Sequence, residues 1–426
     1  MTNGQTDRIE FPRGFVICHL SLVICHFESP LTLHVTTRTH EAITPATTRM
    51  VQTPGPARYG FIDLLRGMAL VVMIETHVVN AYLEPESKKT LFFFGLTFFN
   101  GLVAPAFLFA AGFSLILQMN RNREEWLAFG RPVWINLRRL GFITLVAYYT
   151  HLHQFKWSKY VHPETPDVWK ETLQVDILQC IVASLLILQA LLFIFRKRAL
   201  FAWAAGCVAT AVSLLTPWMW AQDFAGRVPL ALALFLNPHG ISLFPLFPWL
   251  SFVLCGGIAA HLFLNSVERN REIRHVRHVF VLGVFLICGG LLAPYTVPGH
   301  ENFYTTSPHY VSVRLGCVLI LCAFFYGMEK LLHLMPEPIR IAGQESLLVY
   351  GVHLWLIFGV LRGKHLGPVL GLQAGYPVCF ALSGAIIVLM LWLARGWQKL
   401  KRSYPEPVKR TQAAVVILMI LIFLLR

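Results

Sequence analysis

Asp63, Arg66, Leu70, Met73, His77 and Asn80 stand at i, i+3, i+7, i+10, i+14 and i+17 of one apolar run, a spacing that puts them on a single helical face. Asp63 and Arg66 can pair across one turn, and His77 lies about 21 Å further along the axis at about 1.5 Å per residue. Glu75 points the other way, as a structural partner or a protonated carboxyl. A second stripe follows at Ser346, Tyr350 and His353, spaced i, i+4, i+7. Ionisable side chains inside hydrocarbon are costly enough to be functional candidates by default, and histidine is the usual proton acceptor near neutral pH. Two histidines at one depth can be a catalytic pair, a base beside a substrate-binding residue, or two core histidines satisfied by neighbouring helices. The spacing leaves these open, and Asp63 with Arg66 can equally serve only helix packing. Further polar entries are Asp176 and Gln179 at i, i+3, Arg314, and the adjacent Arg138 and Arg139. The last two suit phosphates or plain anchoring at the membrane surface.

The elements that must position these residues follow from composition. The 426 residues are 56% hydrophobic and 14% charged, against about 25% charged in soluble proteins. This excludes a soluble enzyme and a disordered chain, and points to an all-α, polytopic membrane helix bundle of about ten or eleven spans. A bilayer core needs about 20 apolar residues per helix, which predicts spans at 61–82, 93–119, 132–152, 174–195, 199–220, 241–265, 276–296, 310–332, 339–361 and 375–395. The Gly- and Pro-containing stretch from Phe244 to Gly257 predicts a kink in the sixth. Ala413–Leu425 is short for a span and reads as a thin eleventh span or an interfacial helix.

Lys+Arg of 36 against Asp+Glu of 22 leaves net +14. The excess is topological: about 20 basic residues fall in connections after even-numbered spans and about 8 after odd-numbered ones, which predicts a cytoplasmic N-terminus. The basic residues sit between apolar runs, with no basic, aromatic-interleaved domain, so no nucleic-acid partner is expected. On this topology Asp176, Gln179, Arg314 and the two histidines suggest a polar cavity open to the outside, while Arg138 and Arg139 lie on the cytoplasmic side.

Residues 1–57 read as a poorly structured leader, with Met50 near the real start; 58–396 as the membrane domain; 397–426 as a basic connection plus the short apolar helix. The repeat Val16-Ile17-Cys18-His19 and Val23-Ile24-Cys25-His26 does not have zinc-ligand spacing. His151-x-His153 and His275-x-x-His278 lack a completing carboxylate pattern, so no metal is expected. Seven of the nine cysteines lie in apolar runs, where they act as small hydrophobes. The phosphate-binding GxxxxGK[ST] loop, GxSxG and HExxH are missing from the sequence.

Arg58 to His77, read as R-x-x-x-I-D-L-L-R-G-M-A-L-x6-H, resembles the opening signature of the transmembrane acyltransferase superfamily, and within it the heparan-α-glucosaminide N-acetyltransferase family with its bacterial relatives. Asn100-Gly101-Leu102 with Pro105–Phe109, Gly112 and Ser114 agrees, as do Asp176–Gln179, Phe244–Leu250, Thr306-Ser307-Pro308-x-Tyr310 and Gly343-x-x-Ser346-Leu347-Leu348-Val349-Tyr350-x-x-His353. The resemblance spans about 58–361, in order. It implies transfer of an acetyl or other acyl group from cytosolic acetyl-CoA, a co-substrate, to a sugar or glycan acceptor across the bilayer, in a bacterial inner membrane. Under it His77 is the general base and His353 orients the acceptor or the thioester carbonyl. Asp176, Gln179, Ser346, Tyr350 and Arg314 bind the acceptor, and Asp63, Arg66, Arg138 and Arg139 hold the coenzyme. The lysosomal enzyme of that family has its proposed active histidine in the first extracytoplasmic connection. Residues 83–92 here contain none, so direct transfer and a covalent acyl-histidine route both stay open. The rival classes are a transporter of a polar solute using the same buried groups and a non-enzymatic scaffold; a homodimer is left open.

Overall fold

In hydrocarbon a chain can satisfy its own N–H and C=O groups only as a helix or a closed barrel, and this chain takes the helical route. The computed structural model describes residues 59–151, 158–161, 168–224, 226–238, 241–296, 306–361 and 374–425. Its helices are α1 (Gly60–Tyr82), α2 (Leu91–Asn100), α3 (Val103–Arg121), α4 (Arg123–Leu127), α5 (Arg131–Tyr149), α6 (Ser158–Val161), α7 (Val168–Leu173), α8 (Ile177–Ile194), α9 (Arg198–Ala221), α10 (Leu230–Leu236), α11 (Leu246–Glu268), α12 (Glu272–Thr296), α13 (Pro308–Lys330), α14 (Glu337–Gln344), α15 (Ser346–Leu354), α16 (Tyr376–Ser403) and α17 (Pro405–Leu425). A π-helical stretch, Trp355–Leu361, prolongs α15. Among the described residues the chain has no strand, only an isolated bridge between Leu83 and Ala374.

Leu91–Arg121, α8, α9, α11, α12, α13 and α16 are long and apolar enough to cross a bilayer, and the bent pair α14–α15 passes when taken together. The protein is an integral, multi-pass membrane protein of all-α class. Of the remaining expected spans, α1 and α5 have spanning length but carry polar residues: Asp63, Arg66, Glu75 and His77 in one, Arg138 and Arg139 in the other. Trp203 and Trp218 on α9 and Phe280 and Phe285 on α12 stay exposed on the outside of the bundle, where lipid tails are their solvent.

At the centre is α1, packed against α3, α13, α14, α15 and α16. Its crossing with α14 is close enough to require glycine on both sides. A Cβ at Gly343 would run into the Asp63 carbonyl, and one at Gly67 into the Ile339 carbonyl. Small residues permit this backbone approach between membrane helices. The exposed N–H groups that begin any helix are met at α1 by Glu329 of α13, which accepts from the amides of Gly60 at 3.1 Å and Phe61 at 2.6 Å.

Each expected span finds a helix at its place, with differences that have physical causes. The run at 93–119 is broken between α2 and α3, where the Arg314 guanidinium occupies the place a Cβ on Gly101 would take. The run at 339–361 bends by 85° at Glu345. Glu345 is buried there and takes Lys401 of α16 at 2.6 Å, since a buried carboxylate needs a partner. The kink expected in the sixth span appears at Phe247 (φ −95, ψ 117). The last apolar run continues a helix that starts at Pro405, 21 residues instead of 13, and α16 passes through the boundary drawn at 396. Residues 1–57, Arg58 and His153 lie outside the described residues.

Candidate active site

α1 carries polar side chains at two levels, and α14–α15 answers both. Near its N-terminal end, Asp63 Oδ2 accepts from Gln344 Nε2 at 2.9 Å, and Gln344 Oε1 accepts from Gln398 Nε2 at 2.8 Å. Arg66 Nη2 donates to Ser346 Oγ at 2.7 Å. With Glu345–Lys401, this ties α1, the α14–α15 bend and α16 into one polar layer. The bend precedes Ser346, so Ser346, Tyr350 and His353 stay together on α15, where Ser346 at its start meets Arg66 and His353 two turns on meets His77.

Nearer the C-terminal end of α1, His77 meets His353. Nδ1 of His77 is 3.0 Å from Nε2 of His353, and the rings stack at 5.2 Å between centroids with 21° between planes. His353 is fully buried, and its Nδ1 lies 2.8 Å from the Val349 carbonyl oxygen. These contacts settle the proton positions of two neutral rings. A carbonyl only accepts, so Nδ1 of His353 carries the hydrogen and Nε2 the lone pair. That lone pair accepts from Nδ1–H of His77, which leaves Nε2 of His77 as the basic nitrogen. From Arg66 to His77 the rise is about 16 Å, and from Ser346 to His353 about 10 Å. The difference is within the reach of the Arg66 side chain.

Around this pair are residues from α5 and α8. Asp176 is the N-cap of α8: Oδ1 accepts from the Ile177 amide at 2.7 Å, and Gln179 Oε1 accepts from the Asp176 amide at 3.3 Å, a reciprocal capping box. The cap fixes the carboxylate at a helix end, where Tyr350 makes a side-chain hydrogen bond with it and its charge acts on His77. His151, at the end of α5, completes the group: its Nε2 is 3.9 Å from Asp176 Oδ2, and its Nδ1 is 3.2 Å from Gln179 Nε2. Its spacing with His153 had suggested no role. The signal missed was spatial, since α5 and α8 are packed side by side. Phe358 of the π-helical stretch closes one side with its ring 5.8 Å from that of His77.

The structure thus brings together His77, His353, Tyr350, Asp176 and Gln179, and separately Asp63, Arg66 and Ser346. Arg138, exposed, and Arg139, half-buried, sit on α5, which packs on α8 and α4. Arg314 is buried and lies with Phe98, Gly101 and Tyr310 at the α2–α3 break.

An aligned pair of imidazoles with one free basic nitrogen, beside a carboxylate and a phenol, is equipped to take a proton from an incoming hydroxyl or amine. The carboxylate steadies the imidazolium that results, and the polar groups can hold a hydroxylated substrate. Among the described residues no cluster of three or more His, Cys, Asp or Glu side chains could hold a metal ion. Compared with known families, residues 58–297, more than half of the chain, match the model described as heparan-alpha-glucosaminide N-acetyltransferase, catalytic. No individual curated protein matches the chain.

Proposed function

The chain belongs to the heparan-alpha-glucosaminide N-acetyltransferase catalytic family, a family of membrane N-acetyltransferases, and from that premise we propose that it moves an acetyl group from cytosolic acetyl-CoA to a sugar on the opposite side of the membrane. The observation that carries the reading is the His77–His353 contact, which leaves one basic nitrogen on His77 within the field of the Asp176 carboxylate.

The reaction runs as one addition and one elimination. The acceptor amine or hydroxyl attacks the thioester carbonyl carbon while Nε2 of His77 takes its proton, forming a bond from nitrogen or oxygen to carbon. The tetrahedral centre then collapses, the carbon–sulfur bond breaks, and the leaving thiolate takes the proton from the His77 imidazolium. His353 is a positioning residue: it holds His77 in the required tautomer and shares the positive charge through the Nδ1–H contact. Asp176, Gln179, Tyr350 and His151 bind acceptor hydroxyls. Asp63, Arg66 and Ser346 hold the coenzyme arm below, and Arg138 and Arg139 meet its phosphates at the cytoplasmic mouth. A positioned general base contributes about 10²–10⁴-fold, and alignment of two held substrates several kcal/mol more. The proposed orientation, with the N-terminal end of α1 in the cytoplasm, is supported by the Lys and Arg distribution.

The test is purified protein in proteoliposomes with radiolabelled acetyl-CoA and glucosamine or a short glucosaminyl glycan. Labelled N-acetyl product that depends on His77 supports the reading. No product from any amino sugar or hydroxylated sugar ends it.

A further inference from the structure

Glu345 joins α14 to α15 with φ −97 and ψ 29, outside helical values, and the two helices meet there at 85°. The close approach of Gly343 and Gly67 seats α14 on the backbone of α1. The direction that α15 takes from the bend therefore decides where its side chains meet α1: Ser346 at Arg66 and, two turns on, His353 at His77. α16 touches both residues of the bend. Gln398 Nε2 donates to Gln344 Oε1 at 2.8 Å, and Lys401 Nζ lies 2.6 Å and 2.7 Å from the two carboxylate oxygens of Glu345. Beyond the bend, Trp397 packs on Leu348, with Val352 and Leu393 against them. Leu393, Trp397 and Lys401 recur at every fourth residue, so one stripe of α16 follows α15 from the bend towards Val352.

The lever at this bend is long. From Glu345 to His353 the rise is about 12 Å at about 1.5 Å per residue, so a change of about 10° in the bend carries His353 by about 2 Å. Ser346, next to the bend, hardly moves. A hydrogen bond of 3.0 Å between His77 and His353 does not survive such a shift, and misplacing a reacting group by about 1 Å can cost about 10²-fold in rate. A buried ion pair adds little net stability against apolar side chains of similar volume, but its two charges are satisfied only where they meet. Glu345 with Lys401 is such a pair, and it stands at the pivot.

We propose that Lys401 and Gln398 of α16 are positioning residues for the histidine pair: by holding Glu345 and Gln344 they set the angle of α15 and so the contact of His353 with His77. The effect on acetyl transfer rests on the reaction proposed above; the effect on the His77–His353 contact does not. The two residues touch no reacting atom and act through α15, the helix that carries His353. Supporting groups of this kind, locked by packing and hydrogen bonds, keep a site within the narrow tolerance that its chemistry needs.

The test takes two readouts on purified full-length protein carrying Lys401→Met together with Glu345→Gln. One is kcat for acetyl transfer in proteoliposomes. The other needs no turnover: the nitrogen–nitrogen coupling across the His77–His353 hydrogen bond, read by NMR on protein with isotope-labelled histidine. The double variant should melt near the wild type, because removing both charges leaves neither one buried and alone. It should lose the coupling and at least about tenfold in kcat, with KM for acetyl-CoA within about threefold. Lys401→Arg, which keeps the ion pair, should retain both. Gln398→Met should show the same pattern in smaller measure, and it decides the matter if the double variant does not fold. Coupling retained at wild-type strength overturns the proposal whatever the rate, and so does an unchanged kcat where the coupling is gone. A wild-type protein without the coupling overturns it as well, since there is then no contact to position. Coupling that is present in the wild type and lost in the variant, with no acetylated product from either, would refute the transferase reading and leave the positioning of His353 standing.

Discussion

Replacing His353 by phenylalanine separates its role as positioner from any role as packing. The aromatic ring stays, and with it the stacking on His77 at 5.2 Å. Both nitrogens go. Nδ1–H of His77 then faces a ring with no lone pair, in a place where the residue at 353 is fully buried. Leaving a buried donor unpaired costs about 1–3 kcal/mol. The ring can avoid that cost only by moving its hydrogen to Nε2, which removes the basic nitrogen from the acceptor side. Either outcome falls on the state that must accept the proton. The expected loss in kcat is therefore roughly 5- to 150-fold at about 1.4 kcal/mol per decade, with acceptor KM within about threefold. His353→Gln, which can still present an acceptor towards Nδ1, recovers part of the loss. The assay is steady-state acetyl transfer in proteoliposomes, with the melting temperature of each variant measured alongside. A His353→Phe protein with wild-type kcat, or one whose loss is matched by His353→Gln and by a collapse in melting temperature, refutes the relay.

Gly343→Ala drives a Cβ into the Asp63 carbonyl; this overpacking should cost about 1–3 kcal/mol, seen as a lower melting temperature in detergent. Lys401→Met leaves Glu345 buried and alone, a loss of about 3–5 kcal/mol, and adding Glu345→Gln should return most of it, because removing one partner costs more than replacing both. Arg66→Ala opens the contact with Ser346 and should raise KM for acetyl-CoA about tenfold while acceptor KM holds, a split that initial-rate kinetics reads directly. His151→Phe breaks the link to Asp176 and Gln179 and should do the reverse, raising acceptor KM severalfold at constant donor KM.

Most of the helices were legible as apolar runs because a bilayer sets their length independently of what they pack against. The face of α1 was legible too: residues spaced as Asp63, Arg66 and His77 must share a side of any helix, and that side does turn to α14 and α15. What hydropathy could not show was the 85° bend at Glu345. The carboxylate at the bend takes Lys401, 56 residues away on another helix, and a period along one run contains no term for such a partner. The same limit hid His151, whose neighbours Asp176 and Gln179 arrive from α8. Arg314 was legible as a buried charge but not in its company. Its closest attachments are the backbone at Phe98 and Gly101, which leave no mark in a side-chain pattern.

The central claim is that Nε2 of His77 is the base for acetyl transfer. The most direct test compares wild-type protein with His77→Ala in proteoliposomes loaded with acetyl-CoA on the side of the α1 N-terminus and amino sugar on the other. A fall of about 10²–10⁴-fold in kcat, with acetyl-CoA binding retained, is the predicted result. Wild-type turnover in folded His77→Ala would contradict it.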